Sequence, residues 1–415
     1  MIKPIFALVI LLISGCGGGS STNNSVKEKD DNLPGPNLNS SGGITITSSE
    51  AIGIVGSEYS ITWTTGNSAT CFLDGAVQET VTKDGSVIIT PTSEGAITNS
   101  IECGAQTAEV TINILPEFVD IPDTNFADVL TRIGYTVVNG KMAAETALSI
   151  EQLCITSQLD SYGPGDSNNT AIFDNYNVPD GGVRCGYTSD YITDVSGLDF
   201  FLNLKTMRLE WQQISEINLS PLTKLTFLSL WANPLTDLDV TKNVELTHLG
   251  LSETSLTAID TSSLIKLEEA AFQHGVDFAS LPVTLNNGTV IYGFPSIDFS
   301  ENKNLKRIYL HGNPLTDVGV VPNSFGFSDF WATDTNIETL DLSNFQSLWM
   351  LNLKNSANLT YLDLTGVPVP SRLYLTDCPN LLQVFVSDPD QYRSAVATPD
   401  NGIEADAHID FVVKP

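Results

Sequence analysis

Leu225-Thr226-Phe227-Leu228-Ser229-Leu230-Trp231-Ala232-Asn233 sets leucines at positions one, four and six of a unit whose ninth residue is Asn, and Leu235 and Leu238 follow. The unit recurs. Leu246, Leu249, Leu251 and Thr254 repeat it 21 residues later, and Leu204, Met207, Leu209 and Gln212 precede it by the same interval. Further units start at Leu267, Leu305, Phe327, Leu348 and Pro370, with Leu362 fitting only after a one-residue slip. The eight starts are separated by 21, 21, 21, 38, 22, 21 and 22 residues. A fixed period of this size marks a repeat architecture. Each unit supplies one short strand and a turn. Positions four and six point to one side of the strand, and a single unit cannot bury them, so the units must stack. Position nine turns the chain and is expected to be buried, its polar side chain bonding to neighbouring backbone. Asn233 and Asn313 keep the amide there, while Gln212, Thr254, Gly275, Thr335, Ser356 and Cys378 replace it. Cys378 therefore reads as a buried structural thiol.

The pattern resembles the leucine-rich repeat family, in particular the short bacterial type of internalin-like surface proteins. Ile192-Thr193-Asp194-Val195-Ser196-Gly197-Leu198 and Asp237-Leu238-Asp239-Val240-Thr241-Lys242-Asn243 match its phrasing, and the resemblance covers about 200 residues. It implies a solenoid over 191–390 with a parallel β-sheet on its concave face, followed by a C-terminal cap or tail over 391–415.

The rest of the chain reads as further domains. Met1-Ile2-Lys3 is followed by an uncharged apolar run, Ile5 to Ile13, too short to span a bilayer, which has the layout of a secretion signal over 1–15. Ile13-Ser14-Gly15-Cys16 resembles a bacterial lipobox, which implies cleavage before Cys16 and acylation of its thiol. Gly17 in place of Asp favours, by that resemblance, an outer-membrane or cell-surface destination. The Gly-, Ser- and Asn-rich stretch 16–43 reads as a disordered tether. Short alternating strands over 44–115 suggest a β-sandwich. Ser60 to Cys71, with Ile101-Glu102-Cys103 later, resembles an immunoglobulin-like module, and that resemblance implies a Cys71–Cys103 disulfide across the sandwich near Trp63. Over 116–190, Asp123 or Thr124 can cap a helix with Phe126, Val129, Leu130 and Ile133 at helical spacing. This resembles the helical cap that precedes such repeats. The Asp-rich calcium loop often found next in that family is missing from Thr136 to Met142, so no metal is expected. Cys154 and Cys185 flank a polar stretch that a disulfide would cinch, and Asp160, Asp166, Asp174 and Asp180 within it are scattered.

The formal net charge is −30, from 19 Lys and Arg against 49 Asp and Glu. Such a surface repels nucleic acid and anionic lipid, which leaves the anchor as the only expected membrane contact. No Gly-x-Ser-x-Gly or His-Glu-x-x-His motif occurs. A non-catalytic role without cofactor follows, and a surface hydrolase is the weakest of three readings. The strand period places positions three, five and seven on the concave face. There the sequence puts Arg208, Phe227, Trp231 and His248, with Trp211 at position eight, as one expected partner-binding patch. Arg307, Tyr309, His311, Trp331 and Tyr374 form a second. Trp, Tyr and Arg dominate interface hot spots, so the leading reading is a protein- or glycan-binding surface lipoprotein. The alternative is a structural protein that packs against neighbours on the same cell. Within the long fourth unit, Val283 to Tyr292 reads as a hairpin, with Asn287-Gly288 suited to a primed turn, projecting from the solenoid.

Overall fold

The computed structural model describes residues 43–66, 70–157, 185–275, 281–319, 321, 326–398 and 402–415. Cys16, the signal and tether segments, and the acids Asp160 to Asp180 lie outside them.

A parallel ladder dominates the described residues. Eleven strands form one sheet. Within it Thr206–Glu210, Phe227–Ser229, His248–Gly250, Glu269–Ala271, Arg307–Tyr309, Asp329–Trp331, Met350–Asn352 and Arg372–Leu375 pair in register, so Met207, Leu228, Leu249, Ala270, Ile308, Phe330, Leu351 and Leu373 stand in one inward row. These are the position-four residues of the eight units, and the chain is a leucine-rich repeat solenoid.

The ladder extends past both ends of the eight units. Gln152–Thr156 pairs with Thr206–Glu210, and Ile403–Ala405 pairs with Arg372–Leu375. Ile150, Leu153 and Ile155 thus repeat the spacing of Leu204, Met207 and Leu209. A second parallel sheet runs through Thr339–Asp341, Tyr361–Leu364, Gln383–Val386 and Asp410–Val412. It explains the apparent slip at Leu362, which belongs to this second ladder. One continuous core runs from Val119 to Phe411. The helix Thr124–Arg132 contributes Phe126, Val129 and Leu130 to it, and Asp123 is its N-cap. The same carboxylate accepts from the Thr193 and Asp194 amides, tying the helix to the first turn of the solenoid.

Position nine does what the stacking requires. Asn233 Nδ2 donates to the carbonyls of Leu209 (2.7 Å) and Leu230 (2.9 Å), and its Oδ1 accepts from the Ile214 amide. Asn313 makes the equivalent set with Phe272, Leu310 and Phe294. Cys378 is buried and unbridged, its thiol directed at the Leu353 carbonyl. The residue before position nine takes a left-handed backbone: Trp211, Ala232, Glu253, Asp334, Asn355 and Asp377 all have φ between 53° and 59°. This conformation costs most for Trp211, Ala232 and Glu253, and less for Asp334, Asn355 and Asp377, whose short polar side chains tolerate it.

Residues 44–115 form two sheets, of three and five strands, over a core of their own. The Cys71–Cys103 disulfide is present, but not across the sandwich. Cys71 and Cys103 face each other on adjacent strands of one sheet, with Cα atoms 4.3 Å apart. Trp63 shares that core, its indole donating to the Lys83 carbonyl. Cys154–Cys185 is also bridged.

The hairpin Val283–Thr284/Val290–Ile291 forms, with two corrections. Gly288 has φ 91° but Asn287 does not have positive φ, so the turn is not the primed type. Nor does the hairpin project. Asn287 is buried, and its Nδ2 donates to the carbonyls of Gln212 (2.8 Å) and Ala232 (2.7 Å), back on the first two units.

Replacing Asn233 by Leu keeps the volume and strands two carbonyls and one amide in a dry interior. At about 1–3 kcal/mol for each unmet group, the variant should lose at least about 3 kcal/mol in urea unfolding. A loss under about 0.5 kcal/mol would show that the amide ladder is dispensable.

Candidate functional site

The concave sheet carries the expected residues, but in one assembly and not two patches. On its N-terminal half, position five is Ser229, Gly250 and Ala271, all buried. Such small side chains leave room for neighbouring rings to fold down. Phe227 does so and is only 4% exposed; it packs with Ala271, Trp231 and Tyr309. Phe227, expected as a partner-binding side chain, is instead packed against its neighbours. His248 stacks on Phe227 with centroids 5.7 Å apart, and the Arg208 guanidinium lies 5.8 Å from the same ring. Trp211 meets Trp231 edge-on at 5.8 Å.

The second group continues the row. Tyr309 and Trp331 lie 6.2 Å apart, and His311 sits 5.0 Å from Trp331. Trp331 is directly opposite Asn352, which is opposite Tyr374. Tyr309, Trp331, Asn352 and Tyr374 are all partly exposed, and Lys354 and Arg372 beside them are exposed. The concave face is thus mostly covered in its N-terminal half, where Arg208, Trp211, Trp231 and His248 keep some surface, and more open in its C-terminal half.

The carboxylates beneath the rings, Glu210 and Glu269, were not among the expected site residues. Arg307 donates to Glu269 (2.7 and 2.6 Å), and Arg208 to Glu210 (3.0 Å), whose carboxylate also accepts from Ser229. Glu269 is 1% exposed. Burial pushes its carboxyl up to about 7, against the pull of Arg307. The signal was present in the sequence: Glu269 stands one strand from Arg307 at the same position of the unit. Glu253 accepts from the Gly275 amide, and burial raises its pKa.

Burial pushes the imidazoles of His248, His274 and His311 down to about 4. His248 is therefore neutral near pH 7, and its 3.7 Å approach to Glu269 is not an ion pair there. His274 Nδ1 accepts from the Glu253 amide, which also suits a neutral ring. The arrangement offers no general acid–base pair in a cleft. It offers rings, two buried Arg–carboxylate pairs and an open polar end. Among the described residues no group of three or more His, Cys, Asp or Glu is placed to hold a metal, and no helix is long and apolar enough to cross a membrane.

Neither a protein-family model nor a curated protein matches the sequence. Solved structures do. The chain is similar to an internalin C2 from Listeria monocytogenes, at 17% identity and a TM-score of 0.35, over 70% of this chain and 94% of that one. An internalin InlF from the same species gives 17% identity and a TM-score of 0.35, over 70% of this chain and 84% of that one. The functional domain of InlJ from Listeria monocytogenes, which includes a cysteine ladder, gives 15% identity and a TM-score of 0.20, over 68% of this chain and 80% of that one. The repeat assignment rests on the register of the ladder, and these likenesses add no functional residue to it.

Three histidines with depressed values set the acid response. Between pH 6.5 and 4 the unfolded chain binds their protons and the folded chain does not, so their stability contribution is complete above pH 6.5 and falls as pH drops. Glu269, raised to about 7, works in the opposite sense, losing stability as pH rises through that value. His274→Asn keeps an acceptor for the Glu253 amide and removes one titration. Its urea midpoint should fall less than the parent's between pH 7.5 and pH 5. An equal fall would mean that His274 is not held neutral.

Proposed function

We propose that this protein is a non-catalytic binding protein of the bacterial envelope, held by a lipid on Cys16, with residues 44–115 as an immunoglobulin-like spacer. Its ligand is a protein or glycan taken by the concave sheet. The observation that carries this reading is the open C-terminal half of that sheet. Tyr309, Trp331, Asn352 and Tyr374 stand on four successive strands, partly exposed and flanked by Lys354 and Arg372. Aromatic and Arg side chains that keep accessible surface have binding energy to give; those already packed, such as Phe227, have less. Three partly exposed rings and an amide spaced by one strand each also suit a chain of sugars, since ring faces stack and side-chain amides hydrogen-bond. The rings packed around the buried Phe227 in the N-terminal half keep the sheet rigid, which lowers the entropy lost on capture.

The test uses immobilised protein, glycan arrays and extracts of envelope and host cells. Trp331→Ala combined with Tyr374→Ala should cut capture at least about tenfold while the urea midpoint stays close to the parent's, as expected for hot-spot truncation. Cys16→Ser should move the protein from the membrane to the soluble fraction. Full capture by the double variant would remove the concave sheet from consideration, and membrane retention of Cys16→Ser would remove the anchor.

A further inference from the structure

A second surface lies away from the concave sheet, where the strand Phe118–Asp120 meets the first turns of the solenoid. It is a groove of about 780 Å³. Its floor is apolar: Val119, Val195 and Leu198 are buried beneath it, and Ile217 and Phe118 form its sides. Phe118 is 47% exposed. The floor is also fixed in shape. Gly197 has φ 91°, and a Cβ there would lie 2.4 Å from the Asp120 carbonyl oxygen and 2.6 Å from Ile121, so strand and turn are in closest possible contact.

The rim is of one sign. Glu94, Asp120, Asp194, Asp199 and Glu216 line it, and no Lys, Arg or His does. Lys141 reaches Asp120 from outside the groove at 2.6 Å, leaving the other four without an ion-pair partner among the described residues. Asp194 is engaged locally, accepting from the Ser196 amide. A groove with a partly apolar lining walled by like charges is unfavourable in isolation, because the carboxylates repel and the ring stays wet. Both costs are relieved by the same occupant: a segment that brings positive charges to the rim and a large apolar side chain to the floor.

We propose that this groove docks a cationic peptide segment, with Lys or Arg flanking one large apolar residue seated against Phe118 and Ile217. The surface is independent of the concave sheet. It faces a different side of the solenoid turn, so both can be occupied at once. Its ligand class is set by chemistry that the concave rings do not share.

The test uses the full chain and three synthetic fluorescent peptides. The first has a central Trp between pairs of Lys, the second replaces Trp by Ser, and the third replaces each Lys by Glu. Anisotropy is read at low and at physiological salt. With a net charge of −30, diffuse attraction of any cation is the competing explanation, so the controls are matched in charge. Asp199→Lys with Glu216→Lys should weaken the Lys–Trp peptide by about tenfold or more. Glu301→Lys with Glu338→Lys, the same charge change on exposed sites elsewhere in the solenoid, should weaken it less than about twofold, since screened charges act over roughly 10 Å. Phe118→Ala should remove the preference for Trp over Ser. The Glu peptide should not bind, and Trp331→Ala should leave the Lys–Trp peptide unaffected. Equal effects of the two charge reversals would reduce the result to diffuse electrostatics and overturn the proposal. So would an absence of binding, or loss of binding on Trp331→Ala. A thermal scan of each variant identifies any that fails to fold, and Phe118→Ala, which removes an exposed ring, then serves alone.

Discussion

Every coil of this solenoid leaves backbone carbonyls pointing into its own interior, and the structure depends on how those are met. At Asn233 and Asn313 the side chain at position nine bridges the carbonyl of its own coil to that of the coil before it, Leu230 to Leu209 and Leu310 to Phe272, while Thr254 and Thr335 serve only their own coil. A second such series sits on the other side of the core, where Asn243 serves Leu219 and Leu222, and Asn302 serves Thr261 and Leu264. A buried carbonyl without a donor costs more than a typical hydrogen bond returns. The amides therefore fix the stacking distance, and the leucine rows close around them. Even the insert obeys the rule: Asn287 reaches back from the hairpin to satisfy Gln212 and Ala232.

Fixed stacking gives a regular ladder of side chains on the concave face, and side-chain size then divides it. Ser229, Gly250 and Ala271 let Phe227 pack down onto the sheet, with Trp231 and Tyr309 partly buried against it. From Trp331 onward position five is never small, and the side chains there remain partly exposed. Stability and recognition are thus separated along one sheet. The buried Glu269–Arg307 pair lies at the border between the two halves. Such a pair is weak evidence of stabilisation but fixes the orientation of its partners.

Much of this was legible in the sequence, because a 21-residue period leaves little freedom: leucine positions, strand faces and the column of each exposed side chain follow from counting. What counting missed has physical causes. Ile150, Leu153 and Ile155 keep the repeat spacing, but a long excursion separates them from Leu204, so they looked like part of a junction. The second ladder is carried by short Leu-Asp-Leu strands such as Leu340-Asp341-Leu342 and Leu362-Asp363-Leu364, which read as a register slip until paired in space. The columns say which way Phe227 points but not whether it can lie down; that depends on Gly250 and Ala271, on the next two strands. The reach of Asn287 is a contact across 75 and 55 residues that no local signal marks.

Hydroxyl-radical footprinting of the free protein tests the division of the concave face most directly, because it reads side-chain accessibility without needing the partner. The account predicts that Tyr374, Met350 and Trp331 are oxidised readily while Phe227 stays protected until the protein unfolds. Phe227 labelled as fast as Tyr374 would contradict it, and the sheet would then have no closed half.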